Sequence, residues 1–277
     1  MHIYILLLVI TSSVFGAPQA GHHASIGADM KDLEDTQSQS VVVNNDVSYG
    51  HAADLHYYYS NPAASIPCLK SAGVQALFFV GLRYDNQSFN NGIVANIREA
   101  YNARLGVEVY LEANPNKDGT HQLDTMIYGL TNNGIYVRSV WIKVTNKIYS
   151  WPTDTYGNTV FINSILTRAR QIGLTVGIFT NSNDWSRITA NWAGAGSDVL
   201  LWYYSNSGDG SSKASPANFN DFVAFGGFKT PSIKQYSSLI QQCNVASDQN
   251  VYPIGISAKK LSFVAPEGKI VVGGIGL

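Results

Sequence analysis

Short apolar runs alternate with amphipathic stretches from about Tyr49 to Ile254. Gln75–Leu82 (QALFFVGL), Val107–Leu111, Val137–Val144, Leu174–Phe179 and Asp198–Tyr203 read as buried strands. Ala52–Leu55, Ser232–Tyr236 and Asn250–Ile254 are weaker candidates of the same kind. Between them, apolar positions recur at helical spacing over Ala63–Ser71, Gly92–Arg104, Leu123–Leu130, Asn158–Gln171 and Asp184–Asn191. Gly173 closes the fourth of these helices at its C-terminal end. About eight strands alternating with helices predict parallel β/α units, and in a stretch of this length a closed TIM-like (β/α) barrel rather than an open sheet. The fold class is therefore α/β, with one domain over residues 49–255. No Gly-rich phosphate turn follows the first strand, which argues against nucleotide binding. Residues 256–277 fit the rhythm poorly and are expected to form a C-terminal tail of unassigned structure.

The ends of the chain and its two cysteines add a compartment. Residues 3–10 are continuously apolar and Val14-Phe15-Gly16-Ala17 offers small residues for cleavage, so residues 1–17 read as a signal peptide. The run is well short of the ~18–20 apolar residues that a membrane span needs. Residues 18–48 are polar and aperiodic and read as a flexible leader or propeptide. A secreted, extracellular protein is expected, and in that setting Cys68 and Cys243 pair as a disulfide; two buried thiols are the alternative. Asn86-Gln87-Ser88 is a glycosylation sequon in a predicted loop. The net charge of −1 provides no basic surface for nucleic acid and no polybasic face for a membrane. No cofactor or metal is expected, since His22-His23 lacks further ligands, and a monomer is expected. The 16 tyrosines and many neutral polar residues, against 13% charged, suit sugar contacts.

In a β/α barrel the chemistry lies at the C-terminal strand ends. The first strand ends in Asp54, with His56 two residues on. Glu108, Tyr110 and Glu112 share one phase of the third strand while Val107, Val109 and Leu111 share the other. If the aliphatic set faces the helices, two carboxylates and a tyrosine face the barrel. Trp141, Lys143 and Thr145 share a phase of the fourth strand, the sixth ends in Trp202-Tyr203-Tyr204, and the seventh carries Gln235 and Tyr236.

Taken in order, several stretches resemble glycoside hydrolase family 25, and most of all its nematode lysozyme branch. They are Ala53-Asp54-Leu55, Val140-Trp141-Ile142-Lys143-Val144-Thr145, Val176-Gly177-Ile178-Phe179-Thr180-Asn181 with Asp184-Trp185, Leu201-Trp202-Tyr203-Tyr204 and Ser232-Ile233-Lys234-Gln235-Tyr236. The resemblance implies a barrel muramidase acting on bacterial cell-wall glycan in innate defence. It also implies an aspartate on the first strand and an Asp-x-Glu on the fourth, whose spacing sets both carboxylates on one side. Asp54 matches the first; Lys143 and Thr145 stand at the other two positions. Glycoside cleavage needs an acid, and threonine supplies none near neutrality.

The catalytic candidates are thus Asp54 and, as a substitute acid, Glu112, with weak or absent hydrolysis expected. Tyr110, Trp202, Tyr204, Gln235 and Tyr236 are the candidate sugar-binding residues. A non-catalytic glycan-binding or defence protein on the same barrel is the alternative. The residues also have plainer readings. Asp54 caps the next helix or pairs with Lys143, and Glu112 is a partly solvated strand end. Trp202, Tyr204 and Tyr236 pack as core or rim, and His56 is a structural hydrogen-bonding residue. Asp184 is a first-turn acid matched to its helix dipole.

Overall fold

The computed structural model describes residues 47–56, 62–146, 150–254 and 268–277. The expected signal peptide, the leader up to residue 46 and tail residues 256–267 lie outside them. The described residues belong to one compact unit, Asn45–Leu277.

Five β/α units come first. They are β1 (Tyr49–Leu55) with a 3-10 turn and α1 (Ile66–Ser71), β2 (Ala76–Leu82) with α2 (Ile93–Asn102), and β3 (Gly106–Glu112) with α3 (Gly119–Asn132). After the short β4 (Ile135–Val137) come β5 (Ser139–Lys143) with α4 (Thr155–Gln171), and β6 (Thr175–Thr180) with α5 (Ser182–Thr189). Then β7 (Leu200–Tyr204), β8 (Ile233–Gln242) and β9 (Val245–Pro253) follow without α-helices between them, and β10 (Ile270–Val272) comes last. The barrel closes in the order β1-β2-β3-β5-β6-β7-β8-β9, with β9 antiparallel to both β8 and β1.

Polar side chains set where the helices begin. The Asp118, Asp154 and Asn181 carboxylate or amide oxygens accept the N–H groups of His121, Gly157 and Asp184 at 2.8–3.0 Å, capping α3, α4 and α5. Gly173 takes φ +68° just beyond α4, the left-handed stop its position predicts.

The expectation of parallel units throughout is corrected at the last strand. Cys243 and Asn244 both have positive φ, 56° and 62°, and form a two-residue turn between the paired Gln242 and Val245. Such a turn joins antiparallel strands. The run Val137–Val144, read as one strand, is divided at Arg138. Its first part pairs with β10 outside the barrel, and the rest enters the barrel as β5.

Two apolar layers result. Val107, Val109, Leu111, Val140, Ile142 and Ile178 face outward onto Ile97, Leu123 and Ile165 of the helices. Phe78, Tyr110, Trp141, Phe179, Trp202 and Ile233 fill the interior. Burying Phe78 or Phe179 contributes roughly 1.5–3 kcal/mol each. Gly177 makes room for this filling, because a Cβ there would stand 2.1 Å from the Trp141 ring.

The tail closes the base. Gly273 N–H donates to Val107 O at 2.8 Å, and Ile275 enters the interior layer. Ile275 N–H donates to Glu108 Oε1 (2.9 Å) and Trp141 Nε1–H to Glu108 Oε2 (2.8 Å). Gly273 sits at φ +84°, where a Cβ would meet Ser139 N at 2.4 Å, so only glycine fits. Cys68 on α1 is disulfide-bonded to Cys243 in the hairpin turn, tying the first helix to the barrel's closing strands. Among the described residues no helix is long and apolar enough to cross a membrane.

Candidate functional site

Strand alternation carries Asp54, Tyr110, Glu112 and Lys143 to the inward face at the C-terminal ends of β1, β3 and β5. There the Lys143 ammonium donates to Asp54 Oδ2 at 2.7 Å, with side-chain exposures of 7% and 1%. Of the readings that Asp54 admitted, the pairing with Lys143 is therefore the one observed. Lys143 Nζ also lies 3.9 Å from the centre of the Tyr110 ring, a cation–π contact. Burial pushes the Asp54 carboxyl above its ordinary pKa, against the pull of Lys143, and among the described residues no hydrogen bond of ordinary length reaches its Oδ1. Burial, then the Asp54 charge, pushes the Tyr110 phenol well upward.

Beside this pair stands a carboxylate that sequence reasoning missed. Asp248 of β9 is the cross-strand partner of Asp54. Its Oδ1 lies 3.0 Å from His56 Nε2 and accepts Leu239 N–H at 2.9 Å. Burial acts to raise the Asp248 pKa, but the His56 hydrogen bond and the charges of His56 and Lys143 outweigh it, and the group titrates below its usual value. The bond to Asp248 raises His56 in turn. The signal was weak: a lone aspartate in a polar run, before the residue at which the last strand was expected to begin.

Glu112 is the register neighbour of Lys143, and its Oε2 accepts Tyr84 N–H at 3.2 Å. The carboxylate thus holds the turn after β2, in which Asn86 of the sequon is exposed. Trp202 does not reach the mouth. At 0% exposure it lies among Phe78, Trp141 and Phe179, with Nε1–H donated to Asn250 Oδ1 at 2.8 Å. It supports the floor. Gln235 is buried as well, its amide donating to Ser238 Oγ. Tyr110 lies under Lys143, while Tyr204 and Tyr236 remain partly exposed.

A second group assembles at the ends of β5, β6 and β7. Thr145 Oγ1 and the Tyr204 hydroxyl each donate to Asp184 Oδ2 at 2.5 Å, and Asn146 N–H does so at 3.1 Å. Asp184 does sit in the first turn of α5, yet its carboxylate reaches across to the position that the resemblance assigns to a strand glutamate. Alongside lies a cavity of about 510 Å³, lined in part by Asn181, Ser182, Tyr204, Ser205 and Asn206. Its outer wall is segment 205–232, which holds no α-helix and is held down by Lys234. Lys234 is itself fully buried and donates to Pro216 O, Asn218 O and both oxygens of Asp221. Among the described residues no group of three or more His, Cys, Asp or Glu side chains could hold a metal ion.

A family model described as "Lysozyme-like protein 1" matches residues 45–236. Lysozyme-like protein 2 of Caenorhabditis elegans is 40% identical over 98% of this chain and 99% of its own. Probable GH family 25 lysozyme 2 of Dictyostelium discoideum is 31% identical over 68% of this chain and 85% of its own. In fold, the chain is similar to a family GH25 lysozyme from Aspergillus fumigatus. The TM-score is 0.60 at 14% identity, covering 77% of this chain and 98% of the other. The chain belongs to the lysozyme-like proteins of glycoside hydrolase family 25.

Proposed function

We propose that this is a secreted defence protein that binds the glycan of bacterial walls in its barrel mouth, and that it does not cleave that glycan as its family's carboxylate pair would. Family membership supports the wall as target. The observation that carries the second part is the buried contact of Lys143 with Asp54, 2.7 Å long. It fills with a cation the place where the resemblance expects an acid, and commits one oxygen of the remaining aspartate. Thr145 supplies no acid at the second strand position, and the Asp184 carboxylate that reaches there accepts from Thr145, Asn146 and Tyr204. Glu112, the substitute candidate, is bonded to the Tyr84 backbone instead.

The test is co-sedimentation with purified bacterial walls, together with turbidity and reducing-end assays. Retention on the walls without new reducing ends is the expected result. Lysis that disappears in Asp54→Asn refutes the non-cleaving part, and absence from the pellet refutes the wall target.

A further inference from the structure

The single Asn-x-Ser/Thr sequence of the chain, Asn86-Gln87-Ser88, lies in the turn after β2. Asn86 and Ser88 are both exposed. The bonds that hold the turn in place fall on other residues. Glu112 Oε2 accepts Tyr84 N–H at 3.2 Å, and Asn114 Nδ2 donates to Tyr84 O at 3.2 Å. Gln87 Nε2 donates to Arg83 O at 3.1 Å and to Tyr84 O at 2.9 Å. Beyond the turn, Phe89 bridges back to Leu82 and Asn90 N–H donates to Gly81 O at 2.9 Å, so the loop returns to the strand it left.

Within the sequon the chain reverses at Gln87, φ +52°, and Ser88 N–H donates to Asn86 Oδ1 at 3.1 Å. That bond orients the Asn86 carboxamide by its oxygen. Among the described residues nothing bonds to its nitrogen or to the Ser88 hydroxyl. The two groups that define the sequon are therefore presented to solvent by a turn that does not depend on them. We propose that Asn86 is a modification site, carrying an N-linked glycan rooted on the rim of the barrel mouth beside the ends of β2 and β3. This rests on the secreted reading, since the sequon marks a surface loop of a secreted chain. Transfer joins Asn86 Nδ2 to C1 of an oligosaccharide carried on a lipid diphosphate. The C1–O bond breaks, the diphosphate leaves with the electron pair, and the amide gives up one proton. A bulky polar chain at this point displaces no buried contact. In the closed barrel β2 and β7 face each other across the ring, so the glycan and the cavity beside β7 occupy opposite sides of the rim.

The full chain is expressed in eukaryotic secretory cells, and protein from the medium is compared with its Ser88→Ala variant. That variant removes the hydroxyl but keeps Asn86 and the Ser88 N–H bond, so the turn is preserved. In the wild type the peptide containing Asn86 should carry added sugar mass, which a peptide N-glycosidase removes from the folded protein without changing its melting point. Ser88→Ala should lose that mass entirely and migrate with the deglycosylated wild type. Secreted wild type with a bare Asn86 peptide overturns the proposal. So does a glycan released only after denaturation, because its root would then not stand free on the rim. Bare protein in the medium rejects the site alone, whereas a chain that stays in the cytosol rejects the secreted reading and this site with it.

Discussion

Removing the ammonium from the barrel mouth by Lys143→Met should lower stability by about 3–5 kcal/mol, because it strands a buried aspartate without its partner. Asp54 is 1% exposed and among the described residues has no bond to Oδ1, so the Lys143 contact is its main compensation for lost water. The variant also loses the ammonium's contact with the Tyr110 ring, worth about 0.5–2 kcal/mol. For a domain of this size the sum corresponds to a melting point lower by roughly 7–28 °C. Asp54→Asn should also destabilise, since it leaves the buried ammonium facing a neutral amide. The double variant should lose less than the two singles together, with a coupling of about 1–3 kcal/mol in urea unfolding at pH 7. A pH series adds a signed test. Without Lys143 the folded-state pKa of Asp54 rises further above its unfolded value, so the folded variant gains proton affinity. The stability gap to wild type must therefore narrow as pH falls and widen as it rises. Single variants within about 0.5 kcal/mol of wild type, or a cycle with no coupling, would refute the argument that this pair is desolvated and mutually dependent.

Glu108 predicts a second pH effect. Burial raises its pKa from 4.5 to about 7, against the hydrogen bonds from Ile275 and Trp141. Between those values the folded chain binds more protons than the unfolded one, so this group's contribution is fully present below pH 4.5 and falls by about 3 kcal/mol as pH rises to 7. Urea midpoints for wild type and Glu108→Gln across pH 4–8 test this, and equal slopes would contradict it. Reducing the Cys68–Cys243 bond, which spans 175 residues, should cost about 5 kcal/mol on the chain-entropy estimate; calorimetry with and without reductant measures it. Lys234→Met should free segment 205–232 by abandoning Asp221 and two carbonyls, seen as faster proteolysis within that segment at little change elsewhere. Restoring the strand acids with Lys143→Asp and Thr145→Glu should yield reducing ends from bacterial walls where wild type yields none.

The barrel was legible wherever the strands are buried on both faces, because continuous runs such as Ala76–Leu82 have few other ways to fold. Its last strands were legible only in part. Ser237–Gln242 and Val245–Asn250 carry serine, glutamine and aspartate at positions that the barrel buries or half-buries, so their polarity obscured their length and hid the hairpin. The phase argument placed Tyr110 inward and Val109 outward, as found. What periodicity does not encode is depth: Trp202 and Tyr204 share a phase, yet the first lies inside the floor and the second at the rim. Asp184 shows a different limit. Its donors Thr145 and Tyr204 come from 39 residues before and 20 after, a convergence created only when β5 and β7 flank β6.

The closing strand has a practical consequence for anyone shortening the chain. The family match ends at residue 236, ahead of β9, which is bonded along both sides, to β8 and to β1. A fragment cut at that boundary would leave β1 and the stump of β8 as two bare edges, each able to recruit strands from other molecules. It would also lack the cysteine that secures α1. Such a fragment should precipitate on expression, whereas a chain kept through Leu277 leaves the ring without an open seam.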